Sequence, residues 1–235
     1  MNLLRSHAMN KWPILLCLAV AVALLSSCTS KPDTPAATVQ AAVPATADER
    51  PKVVILGDSL TAGLGLLDTQ SFPGLLQQKA DQNGFEVEIV NAGVSGDTSA
   101  GALRRLDWAL REDVRVLVVA LGANDGLRGL SVGEMKQNIG QMIETARARR
   151  IVVVLAGMEA PPNYGSEYVA SFRQAYRDLA QQHRVQFIPF LLAGVAGEAA
   201  LNQPDGIHPN AQGAAIIADT VWKVLEPMLN QMSTS

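Results

Sequence analysis

Cysteine, histidine, clustered basic charge and long apolar runs are all scarce in this chain, and each shortage closes off a class of function. Only two cysteines occur, Cys17 and Cys28. Cys17 falls in an N-terminal apolar segment expected to be removed, so the mature chain would keep one thiol and form no internal disulfide. Arg147, Arg149 and Arg150 make the single basic cluster. They suit the end of a helix, where positive charge is favoured, and nucleic acid is therefore not an expected partner. The apolar stretch Ile14 to Leu25 is about a dozen residues, short of the roughly 20 needed to span a bilayer. No internal repeat is visible, and neither are two cofactor signatures. Gly63-x-Gly65 lacks the third glycine of a dinucleotide loop, and no Gly-Lys-Ser/Thr follows a glycine-rich turn. A dinucleotide or P-loop cofactor is therefore not expected.

The segment that fails as a membrane span reads as an export signal. Arg5, His7 and Lys11 precede the apolar core, which ends in Leu25-Ser26-Ser27-Cys28. A start at Met9 would still keep Lys11 ahead of it. Leu-Ser-Ser-Cys resembles the lipobox of bacterial lipoproteins, which implies residues 1–27 as the signal and Cys28 as the lipidated residue. The protein is then expected in the cell envelope on an N-terminal lipid anchor, and Thr29 after the cysteine fits the outer membrane of a Gram-negative cell. An ordinary signal peptide with an incidental Cys28 is the alternative. Residues 28–50 are rich in Ala, Thr and Pro, with Pro32, Pro35 and Pro44, and read as a tether. Without Arg5 and Lys11 the chain carries 17 basic and 22 acidic residues, a net of −5.

Residues 51–235 are the right size for one domain with one core, expected to act as a monomer. Apolar runs alternate with helix-period segments. Strands are predicted at Lys52–Leu56, Val87–Asn91, Val116–Leu121, Ile151–Leu155 and Val185–Pro189. Helices are predicted at Phe72–Asn83, Thr98–Arg111, Ser131–Arg149, Glu167–His183 and Asn210 to about Met232, with Pro227 a possible stop or kink. This alternation implies an α/β fold, a five-stranded parallel sheet between two helical layers. Chemistry in such sheets collects beyond the carboxyl ends of the strands.

Those ends are polar and rich in glycine. Gly57-Asp58-Ser59-Leu60 follows the first strand, Ser95-Gly96-Asp97-Thr98 the second and Gly122-Ala123-Asn124-Asp125 the third. Asp205-Gly206-Ile207-His208-Pro209-Asn210 precedes the last helix. A serine nucleophile needs a base and a group that orients the base. The chain has three histidines. His7 lies in the signal and His183 at a polar helix end, which leaves His208, with Asp205 three residues before it. Ser59, His208 and Asp205 are the candidate catalytic residues. The Ser59 and Gly96 N–H groups and the Asn124 amide are candidate donors to a developing oxyanion. Read singly, Gly96 is as well a turn glycine, Asn124 an Asx turn, and the 205–210 loop a lead-in capped by Asn210. Asp58, Asp97 and Asp125 read as structural, and Asp58 should point away from its neighbour Ser59.

In this order the four blocks, with Pro162-Asn163-Tyr164-Gly165, resemble the SGNH (GDSL) hydrolase family. The likeness is to its bacterial esterases of the thioesterase I, protease I or lysophospholipase L1 type, and to arylesterases, and it runs from about Lys52 to the last helix. The resemblance implies a flavodoxin-like three-layer α/β/α fold without metal or cofactor. It implies Ser59 as nucleophile, Asp205 and His208 as its partners, and Ser59, Gly96 and Asn124 as the oxyanion hole. The expected activity is hydrolysis of carboxylic esters, extending to thioesters, on small-molecule or lipid substrates. A carbohydrate or peptidoglycan O-acetyl esterase of the same fold, and a non-catalytic envelope lipoprotein, are the alternatives. Loops 64–71, 127–130 and 158–166 are expected to shape the substrate pocket.

Overall fold

A computed structural model describes residues 50–111 and 113–233. The segments read above as signal peptide and tether, Cys28 included, lie outside the described residues except for Arg50. The centre of the fold is the run Val53-Val54-Ile55-Leu56, each residue at most 1% exposed. A strand covered on both faces needs no alternation, so an unbroken β-branched and aliphatic run is what such a position selects. It belongs to β1 (Lys52–Gly57), flanked by β2 (Glu88–Gly93) and β3 (Val114–Ala120), with β4 (Val152–Ala156) and β5 (Gln186–Ile188) beyond. The five strands form one parallel sheet in the order β2-β1-β3-β4-β5.

Among the described residues eight α-helices join or follow the strands: α1 (Ser59–Ala62), α2 (Phe72–Gln82), α3 (Ser99–Arg104), α4 (Leu106–Ala109), α5 (Ala123–Leu127), α6 (Val132–Ala148), α7 (Ser166–His183) and α8 (Ala211–Ser233). α2 packs with α8 on one face, and α6 packs with α3 and α7 on the other. Right-handed crossovers produce this arrangement, because the chain moves one way from β1 to β2 and the other way from β2 through β5. The expected three layers are present. β1 and β3 lie where the strand order reverses, and the crevice that opens there is where open α/β sheets bind ligands.

The segment predicted as one helix over Thr98–Arg111 is two. The chain breaks at Arg105, whose guanidinium is drawn inward to Asp97 Oδ2 (2.6 Å) and to the Gly57 carbonyl (2.9 Å). Pro227 neither stops nor ends α8, which continues to Ser233. The carbonyl it leaves without a helical N–H donor belongs to Lys223, an exposed residue on the solvent side of the helix. α1 and α5 are too short to show a helical period in sequence. His183, expected at a polar helix end, is buried, and its carbonyl accepts from Arg147.

The chain has three tyrosines, and all of them share a stripe on or just before α7. Tyr164, Tyr168, Phe172 and Tyr176 stack successively, with ring centroids 5.4–6.0 Å apart. The i, i+4 spacing puts them on one side of the helix. Their hydroxyls donate to the carbonyls of Leu127, Leu130 and Leu121, each at 2.8 Å. One stripe thus supports the whole connection from the end of β3 to the start of α6.

Candidate active site

Ser59 is the first residue of α1, immediately past the carboxyl end of β1. Asp58 caps this helix, its Oδ1 accepting from the Leu60 N–H at 3.0 Å. The turn from strand to helix is tight. A side chain at Gly57 would collide with Thr61 and with the Ala120 carbonyl of β3, so only glycine lets α1 sit this close to the sheet. The result is a serine at the crevice floor, half-buried and on a rigid support.

His208 reaches it from 149 residues away. Its Nε2 lies 2.9 Å from Ser59 Oγ, and its Nδ1 lies 2.7 Å from Asp205 Oδ2. With Nδ1–H donating to the carboxylate, Nε2 presents a lone pair to the serine hydroxyl, the tautomer a general base requires. The other carboxylate oxygen of Asp205 accepts from the backbone N–H of Ile207 and of His208, both at 2.9 Å. These two N–H bonds, together with the imidazole, hold the Asp205 carboxyl down to about 2. Asn210 also caps α8, its Oδ1 accepting from the Gln212 and Gly213 N–H groups. Helix lead-in and His-presenting loop are thus the same six residues, 205–210.

Ser59, Gly96 and Asn124 line one cleft. Gly96 takes a left-handed backbone (φ 82°), and Arg128 holds it by donating to its carbonyl at 2.9 Å. The Asn124 amide donates one N–H to the Asp97 carbonyl (2.9 Å), which aims the side chain and leaves its second N–H for the cleft. Asp97 is itself fixed by Arg105, and Asp125 by the Ser99 N–H and hydroxyl (2.8 and 2.6 Å). Both acids brace the loops, as expected.

Asp58 is more than a turn residue. It is 1% exposed, and its Oδ2 has no hydrogen-bond partner. Burial pushes the carboxyl up to about 6, against the lowering effect of the Leu60 N–H and of the His208 charge. Among the described residues no group of three or more His, Cys, Asp or Glu is placed to hold a metal ion.

The cleft has a volume of about 720 Å³, within the range of small-molecule sites. Leu64, Leu127 and Met158 to Pro162, from the three loops predicted to shape it, line it together with Phe190, Leu192 and Ile207. The Phe190 and Leu192 wall after β5 was not foreseen. Nor were Arg105, Arg128 and Gln203, each of which holds a backbone carbonyl at the site. Such side-chain-to-carbonyl ties leave no mark on a sequence.

A model of the GDSL-like lipase/acylhydrolase family matches residues 55–216. Esterase TesA of Pseudomonas aeruginosa is 42% identical over 178 residues, covering 75% of this chain and 89% of its own. Thioesterase 1/protease 1/lysophospholipase L1 of Escherichia coli K12 is 36% identical over 182 residues, covering 77% and 86%. The crystal structure of the psychrotrophic esterase EstA from Pseudoalteromonas, inhibited by monoethylphosphonate, superposes with a TM-score of 0.72 at 34% identity, covering 76% of this chain and 98% of that one. On the extent of the family match and on these identities, the chain belongs to the GDSL-like lipase/acylhydrolase family.

Proposed function

We propose that the protein hydrolyses carboxylic esters, and thioesters of similar acyl groups, through an acyl-enzyme on Ser59. The observation that carries this reading is the continuous contact from Ser59 Oγ to His208 (2.9 Å) and from His208 to Asp205 (2.7 Å) at the end of β1. Ser59 Oγ attacks the acyl carbon as His208 Nε2 takes its proton. The carbonyl oxygen becomes an oxyanion facing the donors of Ser59, Gly96 and Asn124. Collapse expels the alcohol or thiol, which leaves with the proton from His208. Water then attacks the acyl-enzyme, gives its proton to His208, and Ser59 recovers that proton as the acid departs. The esterase and thioesterase names of the relatives support the same substrates, and the apolar cleft suits an acyl or aryl group.

Ser59→Ala and His208→Ala are each expected to lower turnover of a p-nitrophenyl ester by about 10³-fold or more, with the melting temperature preserved. Near-parental turnover in either folded variant would overturn the assignment.

We also infer that Cys28 is acylated and that the protein is held at the cell envelope. Leu25-Ser26-Ser27-Cys28 after an apolar core supports this, and two or more acyl chains anchor stably. Incorporation of radiolabelled palmitate into the parent and not into Cys28→Ser is the expected result.

A further inference from the structure

Ser59 and His208 come from two segments that share no strand pairing, yet acyl transfer needs them fixed within a fraction of an ångström. The Asp205–His208 loop is the tip of a small hairpin closed by an antiparallel bridge between Asn202 and Pro209. The serine side consists of α1 and the turn after it, where the Ser59 carbonyl accepts from the N–H groups of Gly63 and Leu64, both at 3.1 Å. One side chain joins the two. Gln203 Nε2 donates to the Leu64 carbonyl at 2.6 Å and to the Pro209 carbonyl at 3.0 Å. The Gln203 backbone N–H donates to the His208 carbonyl at 2.7 Å, and its carbonyl accepts from Gly206 at 2.9 Å. The amide Oε1 lies over Gly65, which has φ +80° and no room for a Cβ beneath it.

We infer that Gln203 is a positioning residue that sets the Ser59–His208 separation, resting on the reading of these two as nucleophile and base. The chemistry selects glutamine. Both acceptors are carbonyls, so the site needs two N–H donors on one atom at the end of a two-carbon stem. Glutamate offers none, and asparagine is one methylene too short to reach both. Gln203 meets His208 directly through the His208 carbonyl and reaches Ser59 through Leu64, whose N–H donates to the Ser59 carbonyl, so loss of the amide frees the hairpin to move relative to α1. A displacement of about 1 Å in a reacting group costs on the order of 10²-fold in rate.

The test compares Gln203→Met, which keeps length and removes both donors, with Gly65→Ala, which pushes on the same amide from the other side. In the full chain, kcat for a p-nitrophenyl ester is expected to fall about 10²-fold in Gln203→Met, with KM within twofold. Fluorophosphonate labelling of Ser59 should slow in parallel. Gly65→Ala should act in the same direction, and the double variant should be no worse than the poorer single, because both act through one contact. A folded Gln203→Met with parental kcat and labelling rate overturns the inference, as do losses that multiply in the double variant. If Gln203→Met does not fold, Gly65→Ala decides alone, a slowed rate supporting and a parental rate overturning. Failure of the functional reading is distinct from either, since it appears as an inert parent protein that the probe does not label.

Discussion

At the residue scale two carboxyls beside the Ser59–His208 contact, Asp58 and Asp205, are driven in opposite directions. Asp205 is solvent-exposed and held down to about 2 by the His208 and Ile207 N–H groups and the imidazole. It is ionised across any working pH, and what it adds to stability is lost only as pH falls from the ordinary 3.8 through 2. Asp58 is buried and raised from 3.8 to about 6. A carboxyl whose folded pKa lies above its unfolded value favours the fold below about pH 4 and loses that advantage as pH rises through 6. The difference amounts to roughly 3 kcal/mol against the ionised form. Asp58→Asn keeps the side-chain oxygen that caps α1 and removes the charge. Thermal melts between pH 4 and 8 should show the parent losing stability over this interval and Asp58→Asn losing far less. Equal pH dependence in both would remove Asp58 as the source.

At the element scale, the tyrosine stripe of α7 determines where the β3–α6 connection lies, and with it Asn124 and Leu127. The tyrosines are not equivalent. Tyr176 is buried, and its hydroxyl, kept protonated by burial, is the donor to the Leu121 carbonyl at the end of β3. Tyr176→Phe strands that carbonyl at a cost of about 1–3 kcal/mol, or roughly 2–12 °C in Tm for a domain of this size. Tyr164 is 41% exposed, and water can replace its bond to the Leu127 carbonyl. Tyr164→Phe should therefore leave Tm within about 2 °C, since surface changes seldom exceed ±0.5 kcal/mol. Calorimetry of the pair checks the contrast, and equal shifts would contradict it. The elements themselves were legible wherever burial dictates the residue pattern, as in β1, β3 and α6. Those that escaped were four- and five-residue helices and the break at Arg105. These depend on contacts 48 residues apart, such as Arg105 with the Gly57 carbonyl, which no local period encodes.

At the scale of the whole molecule, Ser59, Asp205 and His208 were legible because parallel topology brings every strand's carboxyl end to one edge, and histidine was too scarce to offer a rival. Substrate preference was not legible, because the cleft wall is assembled from loops after β1, β3, β4 and β5, and sequence alone does not say which apolar side chains turn inward. With the wall in place, a prediction follows from its composition. Burying one methylene is worth about 0.8 kcal/mol, or roughly fourfold in kcat/KM where the chain enters an apolar site. Over a series of p-nitrophenyl esters, kcat/KM should therefore climb about fourfold per methylene from acetate and then level off once the chain outgrows the 720 Å³ cleft. An O-acetyl esterase would behave in the opposite way, with acetate as its best acyl group and an acetylated glycan turned over faster than any longer ester. A profile that is flat or falling from acetate, measured beside such a glycan, would move the assignment to that branch of the fold.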